Sequence, residues 1–167
     1  MKFYNNIHLD TFLTIVLFGT LLLTGCNNPA GNDDDHEEHS DAYGLELVMN
    51  GETILRYFEG TPDGPVTIEA GEETSLITLH FLDEDGERIE ANHLGDDYSL
   101  GWEVEDEDVL QVEQHDEDGE WSFHFEGITE GTSHIKFMLL HASEGSEHPD
   151  FETPDVDSED AIEVQVE

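Results

Sequence analysis

Positive charge is what this sequence has least of: four Lys and Arg residues stand against 43 Asp and Glu, for a formal net charge of -39. Beyond Lys2 the basic residues are Arg56, Arg88 and Lys136 alone. Nucleic acid and anionic lipid headgroups would repel such a chain, so neither is an expected partner. A single cysteine, Cys26, leaves no disulfide partner within the chain and no thiolate cluster for zinc. The longest apolar run, residues 11–23 (TFLTIVLFGTLLL), falls short of the roughly 20 residues that a membrane-spanning helix needs. Beyond residue 43 no stretch carries apolar residues at helical spacing. Enzyme signatures are missing too: there is no Gly-x-Ser-x-Gly, no His-Glu-x-x-His and no phosphate loop. No small organic substrate is evident, and the chain reads as a non-enzyme.

What is present begins at the N-terminus. Lys2 precedes the apolar run, and the run ends in Leu23-Thr24-Gly25-Cys26, which resembles the bacterial lipobox. The resemblance implies a signal peptide over residues 1–25, cut before Cys26, whose thiol carries diacylglycerol and whose new amine is acylated. Two or more acyl chains hold a protein on a membrane stably, at about 0.8 kcal/mol per buried CH₂. The implied partner of residue 26 is therefore a membrane, with the rest of the chain facing an extracytoplasmic compartment. Asn27 is compatible with transfer to an outer membrane, and the acidic run Asp33-Asp34-Asp35 with Glu37-Glu38 resembles the export signals of some surface lipoproteins. A periplasmic and a surface-exposed location both stay open.

Residues 26–42 read as a lipidated, acidic, disordered tether, since residues 27–41 (NNPAGNDDDHEEHSD) have no apolar periodicity. Fully extended, it would reach up to roughly 50 Å. Residues 43–167 are expected to form one domain. Acidic residues are spread along the whole chain, which fits a surface kept soluble in high salt, as in a halophilic or marine source.

Short strand patterns separated by Gly, Asp and Pro turns fill the domain, which predicts an all-β fold. Residues 44–49, the Asn50-Gly51 turn and residues 52–58 make a hairpin. Strands follow at residues 66–70, 75–82, 98–104, 109–113, 120–126, 134–141 and 161–166. Trp121, Phe123 and Phe125 alternate with polar residues, as do Ile135, Phe137 and Leu139, so both sets point to a core. The segments Trp102-Glu103-Val104, Asp108-Val109-Leu110-Gln111-Val112 and Gly127-Ile128-Thr129-Glu130-Gly131-Thr132-Ser133-His134-Ile135 resemble bacterial Ig-like domains of the group 2 type. That resemblance covers residues 66–166 and implies an Ig-like β-sandwich, to which the leading hairpin is an addition.

In an Ig-type sandwich the connections at residues 83–97, 114–119 and 142–160 gather at one end. That end would hold His93, His115 and His148, with His141 at the strand terminus and Asp150 beside His148, a candidate metal site. Imidazole and carboxylate donors suit zinc, or copper or nickel, better than calcium or magnesium. The connection at 142–160 is also far longer than the usual span of about 2–6 residues. The chain further resembles a group of His-rich bacterial lipoproteins with one Ig-like domain, thought to handle zinc or related metals, which implies a metal transporter or receptor as partner. His36 and His39 on the tether form a secondary candidate, read either as a metal-collecting tag or as a solvated linker. The Asp-Glu-Asp-Gly-Glu repeat at residues 83–87 and 116–120 looks calcium-like but lacks the spacing of an EF-hand loop, and an Asp-Gly turn explains it. His124 and His134 are expected to face outward on strands of opposite sheets, without sharing a site. The competing function is a structural or adhesion module that binds a protein or glycan.

Overall fold

The alternation of apolar and polar residues builds two facing sheets in the structure, a computed structural model that describes residues 40–143 and 145–167. The expected signal peptide, Cys26, His36 and His39 lie outside the described residues. Strands β1 (Gly44–Met49) and β2 (Glu52–Phe58) pair about Asn50-Gly51. Those two residues have φ of 55° and 83°, the left-handed pair that a tight type I′ hairpin demands. Strand β3 (Thr61–Pro62) borders β2, and β4 (Val66–Ile68) crosses to the other sheet. On its other side β1 pairs with β5 (Ile77–Leu82). After β6 (Tyr98–Val104) come β7 (Leu110–Glu113) and β8 (Ser122–Gly127), and β8 lies between β5 and β7. The first sheet thus runs β3-β2-β1-β5-β8-β7.

The second sheet is organised around β9 (Gly131–Ser143). Strand β6 lies along one edge of it. The other edge is shared by β11 (Ile162–Val166) and β10 (Ser146–Glu152), and β4 joins β11 in parallel. Strands β5, β8 and β7 are neighbours in the first sheet, and β6, β9 and β11 in the second. The fold is an all-β sandwich, with the leading hairpin added beside β5.

Two expectations need correction. Residues 142–160 are not a plain connection, because β10 folds back on β9 as a hairpin. Its sequence hides this: Phe151 is the one large apolar residue in Ser146–Glu152, and Pro149 weakens the strand signal, yet proline is tolerated on an edge strand. Residues 40–42, expected to close the tether, contact the domain. The Ser40 N–H donates to Asp150 Oδ2 at 2.9 Å, and Ala42 packs on the core.

Between the sheets lie Leu45, Leu47, Ile77, Leu79, Phe81, Phe123, Phe125, Ile135, Phe137 and Leu139, all buried. Phe123 is the centre of an aromatic group, with its ring 5.2 Å from Phe125, 5.5 Å from Phe137 and 6.4 Å from Trp102. The three cations among the described residues are all committed. Buried Glu46 on β1 is bonded by Arg88 and faces Arg56 Nη1 at 3.7 Å. Lys136 Nζ lies 2.6 Å from Asp155 and 2.9 Å from Glu152, and the hydrogen bonds to Asp155 and then Glu152 push its pKa up. Among the described residues every Lys and Arg is therefore in an ion pair, which leaves the outer surface to carboxylates. No helix among them is long and apolar enough to cross a membrane.

Candidate metal centre

Strand alternation carries a histidine into the core-facing row of β9. Ile135, Phe137 and Leu139 point between the sheets, and His141, two residues further on, continues the row and is buried. Register supplies its neighbours: Tyr98 of β6 is paired with His141 on one side, and His148 of β10 on the other. Directly opposed residues of adjacent strands bring their side chains together. The Tyr98 and His141 rings are stacked at 4.5 Å and 13°, and the His141 and His148 rings lie 5.5 Å apart. The β10 register shifts between Pro149 and Phe151, so Asp150 falls at a bulge, a device that re-aims a side chain.

Asp150 completes the group. Its side chain is only 1% exposed, with Oδ1 3.3 Å from His148 Nε2 and Oδ2 3.6 Å from His141 Nδ1. Oδ2 also accepts hydrogen bonds from the Tyr98 hydroxyl at 3.0 Å and from the Ser40 N–H at 2.9 Å. His141, His148 and Asp150 each offer a donor atom, and the three atoms lie within 4.8 Å of one another. Tetrahedral zinc bonds of about 2.0–2.1 Å place neighbouring donors roughly 3.3 Å apart, so modest closure of this triangle would seat such an ion. A carboxylate taken out of water is stabilised by the hydrogen bonds it accepts, here from Tyr98 and Ser40, and a divalent ion among the three residues would add to them.

His93 and His115, expected at the same site, are elsewhere. His93 sits exposed in a single 3-10 turn, Ala91–His93. His115 is instead beside His124 on the outer face of the first sheet, their rings 5.4 Å apart. Glu73 joins them, with Oε1 3.2 Å from His124 Nδ1 and 3.8 Å from His115 Nε2. Residues 71–74 run along β8, bonded through Thr74 N to Phe125 O and Gly71 N to Gly127 O. This extension of the β5 ladder carries Glu73 to His124, and no residue pattern in residues 71–74 announces it. The outward direction of His124 and its separation from His134, which bonds Glu105 at 2.6 Å, are as expected.

Electrostatics around His124 are balanced. Burial pushes its imidazole pKa down, but the Thr74 carbonyl, Asp118 and Glu73 together hold it above the ordinary 6.5. The Asp118 carboxyl lies below its ordinary range, chiefly because the His115 backbone N–H donates to it, with burial opposing and His124 adding to the lowering. Its loop and that of residues 83–87 are turns, as expected: Asp83 Oδ1 accepts the N–H groups of Asp85 and Glu87, and Gly86 and Gly119 take φ of 74° and 86°.

No protein-family model matches this chain, and a search of the curated proteins finds no match either. The side chains themselves carry the functional reading.

Proposed function

We propose that this chain is a metal-binding accessory lipoprotein of bacterial Ig-like type, not an enzyme. Cys26 carries the lipid that holds it on the outer membrane. The domain captures zinc, or copper or nickel, and buffers it near, or passes it to, an uptake or efflux partner. One observation supports this above the others: His141, His148 and the nearly inaccessible carboxylate of Asp150 converge, each with a donor atom within 4.8 Å of the rest. Two imidazoles and one carboxylate suit a borderline divalent ion, whereas calcium prefers six to eight oxygens. Three protein ligands leave a fourth position for water or for a donor from a partner, which favours exchange over permanent structural binding.

The test is zinc titration of the full chain, purified without a polyhistidine tag, against His148→Ala and Asp150→Asn. Each variant is expected to weaken zinc binding by about 100-fold, or 2.7 kcal/mol. Binding weaker than about 0.1 mM in the parent, or affinity unchanged in both variants, overturns the reading. Replacing Cys26 with Ser, followed by membrane fractionation, tests the anchor separately; the variant is expected in the soluble fraction.

A second reading, a module that binds a protein or glycan, is favoured by a groove of about 390 Å³ lined by Trp102, Val104, Gln111 and Val112 with Glu103 and Glu107. It opens between β6 and β7, the edge strands of the two sheets. Under that reading Trp102→Ala abolishes partner capture while zinc has no effect on it.

A further inference from the structure

The outer face of the first sheet holds a second cluster that the inner-face centre does not use. We infer that Glu73, His115 and His124 form a separate, more exposed divalent-cation site, selective for zinc-like ions over calcium, with Asp118 as an adjoining carboxylate.

The argument starts from the proton on His124. Its Nδ1 is 2.8 Å from the Thr74 carbonyl oxygen, which can only accept, so Nδ1 carries the hydrogen. A divalent ion would take the place of the proton between Nε2 and Asp118 Oδ1, which are 3.5 Å apart, and leave Nε2 as the ligating nitrogen. A histidine that donates one ring N–H to a backbone carbonyl while presenting the other nitrogen is the arrangement that orients metal-binding imidazoles in general. His115 is presented from the β7–β8 turn, which is held by the Asp118 carboxylate bonded to the His115 N–H at 2.7 Å. Its Nε2 lies 3.8 Å from Glu73 Oε1 and 4.0 Å from Glu113 Oε2. Glu73, His115 and His124 offer three donor atoms within 4.8 Å of one another.

Three separate pieces of chain, 71–74, the β7–β8 turn and β8, thus converge on one point. Two imidazoles distinguish this cluster from the carboxylates spread over the rest of the surface and set its preference for borderline ions. Glu73 and His115 have side chains 44% exposed, against 1% for Asp150, so ions reach and leave this site more readily than the inner one. The site stands independently of the inner-face centre, because no residue is shared.

The experiment is zinc titration of the untagged full chain, with the imidazole nitrogens followed by NMR, on the parent, His115→Ala, Glu73→Gln and His148→Ala. The parent is expected to bind one zinc ion more than His115→Ala, and Glu73→Gln is expected to weaken that ion by about tenfold. The His115 and His124 nitrogen resonances should shift together, and should still do so in His148→Ala, where the inner centre is disabled. His115 and Glu73 are exposed, so their replacement leaves the fold intact. If His115→Ala and Glu73→Gln bind as many zinc ions as tightly as the parent, or if the two resonances do not move in either background, the site does not exist. A calcium titration that moves the same resonances equally would overturn the stated selectivity.

Discussion

Tyr98 shows how a single hydroxyl can matter to a candidate metal site it does not complete. It bonds Asp150 Oδ2 at 3.0 Å and its ring covers His141. Tyr98→Phe keeps the stack but removes one bond to a buried carboxylate, so a loss of about 1.5–3 kcal/mol of stability is expected by urea denaturation. A fall in zinc affinity of about 10- to 100-fold should accompany it, since the carboxylate loses its orientation. His80 on β5 offers a test of charge. Burial first, and then the nearby Arg88, hold its pKa below the ordinary 6.5, with Glu46 pulling upward. The folded state resists a proton that the unfolded chain accepts. Its contribution to stability is therefore present above pH 6.5 and lost as pH falls through the lowered folded value. His80→Gln should flatten the profile of urea midpoint against pH across that window. At this scale the sequence revealed part of the centre. His141 lies two residues past Leu139 in an alternating row, so its inward direction was legible. The bulge that re-aims Asp150, and the approach of Glu73, depend on register between distant strands and leave no local trace.

Elements with strong local chemistry were legible almost to the residue. The β1–β2 hairpin follows from Asn50-Gly51, and β6 from its apolar and aromatic alternation. The strand β10 was not legible, because an edge strand rich in acid and histidine buries little. It is held by pairing with β9 and by Phe151, whose ring meets Phe81 at 5.8 Å. Where β8 ends, packing is tight: a Cβ added at Gly127 would lie 2.5 Å from the Glu69 carbonyl oxygen and 2.9 Å from Val166. Backbone cannot yield as a flexible side chain can, so Gly127→Ala should cost about 1–3 kcal/mol in a denaturation experiment. Phe123→Ala removes the central ring of the aromatic group and should cost about 3–5 kcal/mol. That loss should appear in full whether or not zinc is present, which separates core damage from ligand damage.

For the whole molecule the governing quantity is a net charge of -39. Like charges spread over one small domain favour expansion, and salt weakens that repulsion as the screening length falls from about 10 Å at 0.1 M to about 3 Å at 1 M. The melting temperature should therefore rise as sodium chloride is added, the reverse of a fold held by surface ion pairs. A flat or falling melting curve would mean that the carboxylates are not under mutual strain. The commitment of Arg56, Arg88 and Lys136 to ion pairs has a further consequence, which concerns digestion. Proteases that select a basic side chain have three places to cut between residues 40 and 167, and each such side chain is already held by a carboxylate, two of them within strands. A chain so poor in cations is shielded from trypsin-like enzymes by composition and by structure at once.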